Sequence, residues 1–138
     1  MGLSSKDYKF MYLAMIESTK SDYCRGNTGC VIVYKNTIIS SASNSEKTHP
    51  MQHKYNKYRI PNNTQFILDK VHAEIRAINK IKYMDIDFGK CKIYVYREKN
   101  HNSGLARPCE ACMHMIKDIG IKHIYYSTDD GIAYEKIM

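Results

Sequence analysis

The sequence predicts an α/β fold: a mixed central sheet of about five strands with helices packed on it. Three observations carry this. Apolar residues recur at helical spacing in three segments, they alternate or form short blocks in five others, and the two kinds are interleaved in the order α-β-β-α-β-α-β-β. The first helix spans residues 4–20, where Ser4 followed by Asp7 is a capping signal and Phe10, Leu13, Ala14 and Ile16 make one apolar face. Cys24-Arg25-Gly26-Asn27-Thr28-Gly29 is turn chemistry, and strands at 30–34 and 37–41 follow, joined tightly at Lys35-Asn36. Residues 43–70 form a long polar stretch with Pro50, Pro61 and Asn62-Asn63; a connection of that length inside a compact domain is functional or disordered. Helical spacing returns over 71–82 through Ile75, Ile78 and Ile81, and 91–96 alternates as a strand. A loop over 98–107, carrying Asn102-Ser103-Gly104, leads to a second core helix at 109–119, for which Gly120 is a good stop. A strand at 122–127, the turn Asp129-Asp130-Gly131 and a strand at 132–137 close the chain as a C-terminal β-hairpin.

The 138 residues fit one domain over 1–138, with no internal repeat. At 43% apolar and 25% charged, the composition excludes a disordered chain, a collagen-like repeat and a disulfide-knotted mini-protein. Twenty-one Lys+Arg against fourteen Asp+Glu leave a net +7, which suits a nucleotide, a nucleic acid or an anionic surface without choosing among them. No apolar run approaches the roughly 18 residues of a membrane helix, and the N-terminus lacks a signal-peptide core. A soluble, cytoplasmic protein with no membrane partner is therefore expected. Five cysteines are an odd count, against a disulfide framework; Cys24, Cys30 and Cys91 read as small buried hydrophobes.

Chemistry is concentrated in two short pieces, His72-Ala73-Glu74 and Pro108-Cys109-Glu110-Ala111-Cys112, each at the start of a helix. One imidazole and two thiolates suit zinc, and three protein ligands leave one position open, the arrangement of a catalytic site. A helix N-terminus lowers the cost of deprotonating Cys109 and Cys112, and Pro108 suits helix entry. Glu74, two residues after His72, points elsewhere on the helix and fits a neighbour of the metal better than a ligand. Two other readings stay open: a redox Cys-x-x-Cys pair, which leaves His72-Ala73-Glu74 unexplained, and a structural zinc site completed by His101 or His114. Taken singly, His49, His53, His101, His114 and His123 default to surface or core histidines, and Arg76 to a structural helix residue.

These pieces match the H-x-E…P-C-x-x-C signature without substitution, and the chain resembles the zinc-dependent cytidine and deoxycytidylate deaminases over most of its length. The resemblance implies an α/β/α sandwich, one catalytic zinc held by His72, Cys109 and Cys112, and Glu74 as the catalytic proton carrier in attack at C4 of cytosine. It further implies that the Ala73 backbone N–H meets the base, that Asn44 bonds the substrate, and that the protein is a homo-oligomer. For the phosphate of a nucleotide, the stretch between 47 and 68 holds Lys47, Lys54, Lys57 and Arg59 and no acidic residue, so Arg59 is a candidate and Tyr58 could lie against base or sugar; a merely solvated loop is the alternative. Arg107 is a second phosphate candidate. No second metal is expected. The reading that results is hydrolytic deamination of a free cytosine nucleotide, dCMP first, with a base in single-stranded nucleic acid, or a free nucleoside or nucleobase, as the alternative.

Overall fold

The computed structural model describes residues 3–23, 26–59, 70–100 and 102–137. Helix α1 (Ser5–Ser18) starts where sequence predicts: Ser4 Oγ accepts the Asp7 N–H at 3.2 Å and the Asp7 carboxylate accepts the Ser4 N–H at 2.9 Å, a reciprocal capping box. Its buried face is Phe10, Met11 and Ala14; Ile16, expected there, is 39% exposed, and Met11 takes the space. Strands β1 (Asn27–Tyr34) and β2 (Thr37–Ser43) meet at Lys35-Asn36, whose φ values of 50° and 63° give the left-handed pair that matches strand twist in a two-residue hairpin.

The polar stretch after β2 contains an element that sequence spacing does not reveal, α2 (Pro50–Tyr55), continued by a single 3-10 turn at Asn56–Tyr58. Six residues are too few to display a helical period, yet the start is well specified: Pro50 opens the helix and His49 Nδ1 accepts the Met51 N–H at 3.0 Å. Asn62-Asn63, Pro61, Cys24 and His101 lie outside the described residues.

Helix α3 (Ala73–Asn79), strand β3 (Cys91–Lys99), strand β4 (Asn102–Gly104), helix α4 (Glu110–Ile119) and strands β5 (His123–Thr128) and β6 (Gly131–Lys136) complete the chain. Gly120 ends α4 with φ 102°, a left-handed cap that glycine adopts without strain. The sheet runs β2-β1-β3-β5-β6, with β4 pairing only the end of β3. It is mixed, because β3 and β5 are parallel while every other pair is antiparallel. The sixth strand, β4, is three residues that read as loop in the sequence; β5 and β6 form the expected C-terminal hairpin.

Alternation divides the strands between two cores. Cys30, Ile32, Ile93, Val95 and Ile124 point to the face covered by α3 and α4, together with the fully buried Ile75, Ile78 and Ile116. Val31, Val33, Tyr94 and Tyr125 point to the other, against Phe10, Met11 and Ala14 of α1. The result is an α/β/α sandwich. Gly29 allows α1 to lie this close, since a β-carbon there would sit 2.1 Å from the Ala14 carbonyl oxygen. Among the described residues no helix is long and apolar enough to cross a membrane. The parallel β3–β5 pair requires a crossover, which α4 supplies, so α4 begins beyond the carboxyl end of β3. The start of α3 meets it there.

Candidate active site

His72 is the N-cap of α3 and Cys109 the N-cap of α4, both with extended backbone, while Cys112 lies in the first turn of α4 and is fully buried. A residue from α2 holds His72 in place: its N–H donates to the side-chain oxygen of the fully buried Gln52 at 3.0 Å, and the Gln52 amide donates to Asn56 Oδ1 at 2.7 Å. The preceding residue is pinned as well, Val71 N–H to the Lys47 carbonyl at 2.9 Å.

His72 Nδ1 stands 3.4 Å from Cys109 Sγ and 3.4 Å from Cys112 Sγ, and the two sulfurs are 3.6 Å apart. A tetrahedral zinc with bonds of about 2.3 Å to sulfur and about 2.0–2.1 Å to nitrogen needs ligand atoms about 3.5–3.8 Å apart. The triangle is close to that size, so the donor set fits the ion in both chemistry and dimension. Among the described residues these three form the only group of histidine, cysteine and carboxylate side chains gathered closely enough to hold a metal. His114 is no fourth ligand; its ring is stacked on Tyr58 at 3.6 Å. Among the described residues three protein ligands gather, a set that leaves the fourth position open as in a catalytic zinc site.

The electrostatics have the same character. The Cys112 thiol, followed by the His72 imidazole, pulls the Cys109 thiol down to about 3 against the effect of burial. Burial drives the Cys112 thiol well up, the Glu74 and Cys109 charges adding to it. For His72, burial favours the neutral ring, but the bond to Cys109 and its charge prevail and raise it. Cys109 is thus the more readily ionised of the two thiols, and a divalent cation would discharge the remaining protons. Glu74 is 5% exposed. Burial raises its carboxyl above the usual range, the His72 ring opposing, and the carboxyl lies against Cys112.

Over these groups opens a cavity of about 640 Å³, with His72, Ala73, Glu74 and Cys109 in its lining. Asn44, Arg59 and Arg107, singled out from the sequence, line it too. Tyr58 does not: it is stacked on His114 outside the lining. The Asn44 side chain is already engaged, its Oδ1 accepting from the Thr28 N–H at 3.0 Å and from the Ser21 hydroxyl, its Nδ2 donating to the Gly26 carbonyl at 2.9 Å. It braces the loop before β1. Arg107 grips both oxygens of Glu135 on β6. Arg76 donates to the Ser43 carbonyl at 3.1 Å, the structural role expected of it. Sequence reasoning misses Tyr23, Lys70, Leu105 and, above all, Arg97 in the lining. Strand alternation could have found Arg97, because it lies two residues beyond Val95 on the face that α3 and α4 cover.

Comparison with known proteins agrees with this geometry. The family model for the cytidine and deoxycytidylate deaminase zinc-binding region matches residues 4–128. Among solved structures, the apo dCMP deaminase from cyanophage S-TIM5 aligns with a TM-score of 0.61 at 21% identity, covering 90% of this chain and 84% of its own. The same phage enzyme in complex with dCMP and dUMP gives 0.61 at 19%, covering 91% and 83%. Cytidine deaminase from Burkholderia pseudomallei gives 0.62 at 15%, covering 97% and 93%. At these identities the likeness is one of fold. No curated protein matches the sequence.

Proposed function

Because the chain belongs to the cytidine and deoxycytidylate deaminase family, we propose that it catalyses hydrolytic deamination of a free cytosine nucleotide, dCMP to dUMP with release of ammonia. One observation carries the reading: His72 and Cys109 of the triad and buried Glu74 line a single cavity with Arg59, Lys70, Arg97 and Arg107, which suits a neutral base at the floor and an anion above it. The phage enzyme whose complex contains dCMP and dUMP is a relative in fold, and supports a nucleotide.

His72, Cys109 and Cys112 would hold a zinc ion, which when bound would supply a Lewis acid that acidifies water towards neutral pH. Glu74 does the proton work. Its carboxylate accepts a proton from the water attacking C4 and delivers it to N3 of the ring. It then carries the remaining hydroxyl proton to the amino group, so that the C4–N bond breaks, ammonia leaves and the C4 carbonyl of uracil remains. The Ala73 backbone N–H, in the first turn of α3 and so without an intrahelical acceptor, bonds the base. Asn44 acts through the loop it braces, fixing the wall formed by Gly26 and Thr28.

The test is mass-spectrometric deamination of a panel by the zinc-loaded protein: dCMP, CMP, deoxycytidine, cytidine, guanine and an oligonucleotide containing cytosine and adenine. Turnover of a monophosphate, lost in Glu74→Gln, is expected. Turnover of the oligonucleotide alone would replace this reading with nucleic-acid editing.

A further inference from the structure

Two of the three arginines that line the cavity are in opposite circumstances. Arg107 is committed: its Nε and Nη2 bond the Glu135 carboxylate at 2.7 and 3.2 Å, and the Tyr126 hydroxyl donates to the same carboxylate at 2.7 Å. Binding an anion there would mean giving up a two-pronged ion pair. Among the described residues no carboxylate pairs with the Arg97 guanidinium.

The backbone of Arg97 is nonetheless held firmly. It faces Thr28 across β1 and Gly104 across β4. Its N–H donates to Ser127 Oγ at 3.1 Å, and that hydroxyl donates to the Gly104 carbonyl at 2.7 Å. Alternation along β3 puts its side chain on the face of Ile93 and Val95, one step past the end of the core. There the guanidinium runs alongside Gly26, its Nη2 3.6 Å from where a β-carbon would stand, at the exposed side of the cavity.

We propose that Arg97, and not Arg107, binds the 5′-phosphate of the substrate, presented at the cavity mouth by the β3–β4 hairpin; this rests on the nucleotide reading above. A guanidinium is a planar fork of donors matched to phosphate oxygens, and one that no described carboxylate engages keeps that fork available. A rigid strand end carries it at little ordering cost, since only the side chain has to settle. At the mouth a phosphate keeps part of its hydration while the base goes to the floor beside Glu74. A nucleoside leaves Arg97 in water rather than buried and unpaired, so its penalty is a lost attraction and not an exclusion.

The experiment compares zinc-loaded wild type, Arg97→Ala, Arg97→Lys and Arg107→Ala, measuring kcat and KM for dCMP and deoxycytidine and calorimetric binding of dUMP. A charge-assisted bidentate contact predicts that Arg97→Ala lowers the dCMP-over-deoxycytidine ratio of kcat/KM about ten- to hundredfold, through KM, and weakens dUMP by a similar factor. Arg97→Lys recovers part of both, and Arg107→Ala leaves the ratio within about threefold. If the selectivity loss falls on Arg107→Ala, or Arg97→Ala loses both substrates equally, the assignment of Arg97 is overturned while the nucleotide reading stands. If the wild type prefers deoxycytidine or the oligonucleotide, the nucleotide reading falls and this assignment with it.

Discussion

The floor of the cavity and its mouth are built on different principles. At the floor, His72, Glu74, Cys109 and Cys112 come from two pieces of chain, each no longer than five residues, set by the N-termini of two helices and backed by buried hydrogen bonds. At the mouth, the cations come from four separate places: Arg59 after a 3-10 turn, Lys70 before α3, Arg97 at a strand end and Arg107 before α4. On the proposed reading, the floor serves a reaction whose atoms are fixed, so its spacing is fixed. On the same reading the mouth only has to meet an anion, and any element that passes nearby can contribute.

If that division is right, perturbing the floor and the mouth should fail in different ways. The largest effect is expected for Cys109→Ala, which removes a metal ligand. Zinc stoichiometry by atomic emission should fall from one per chain towards zero, with activity lost and the melting temperature lowered. Retention of a full equivalent of zinc would break the assignment of the ligands. Next comes Glu74→Gln, which should keep the zinc and lose about 10²–10⁴-fold in kcat with little change in KM. Normal turnover by that variant would remove Glu74 from the chemistry.

Gln52→Ala should act through His72, since it leaves the His72 N–H unsatisfied in a buried place. A stability loss of about 1–3 kcal/mol by chemical denaturation and a zinc affinity weakened by about ten- to hundredfold are expected. An unchanged affinity would mean that α2 does not position the ligand. The smallest effect belongs to the mouth: Glu135→Gln frees Arg107 from a pair that is partly exposed, so about 0.2–1 kcal/mol is at stake. The Arg107 guanidinium holds the Glu135 carboxyl below its ordinary 4.5. The pair's contribution is therefore complete above about pH 4.5 and fades as pH falls through the lowered value. Wild type and variant melting temperatures should converge in acid and separate towards neutral pH; a gap that widens in acid would contradict the pairing.

The same contrast explains what the sequence could disclose. The grouping of His72, Cys109 and Cys112 is legible because residues close together at the start of a helix define their own geometry. The strands are legible from alternation and short apolar blocks, and so is the apolar face of α1, apart from Ile16, whose place Met11 takes. The six-residue α2 was not, because less than two turns show no period, and with it went Gln52, the residue that anchors His72. The three-residue β4 was hidden likewise. Sequence spacing does not show that Arg107 pairs with Glu135, 28 residues away, or that Tyr58 stacks on His114 of another helix. Arg97 is the reverse case: a strand residue of no sequence distinction that pairing and alternation carry to the cavity.

The most direct measurement offers dCMP and deoxycytidine together, at equal concentration, to one sample of the zinc-loaded protein, and reads the ratio of dUMP to deoxyuridine by mass spectrometry at early times. A floor that performs the chemistry beneath a mouth that selects the phosphate predicts dUMP in excess by about ten- to hundredfold. Equal products, or deoxyuridine in excess, would show that the mouth does not read the phosphate and would contradict the account.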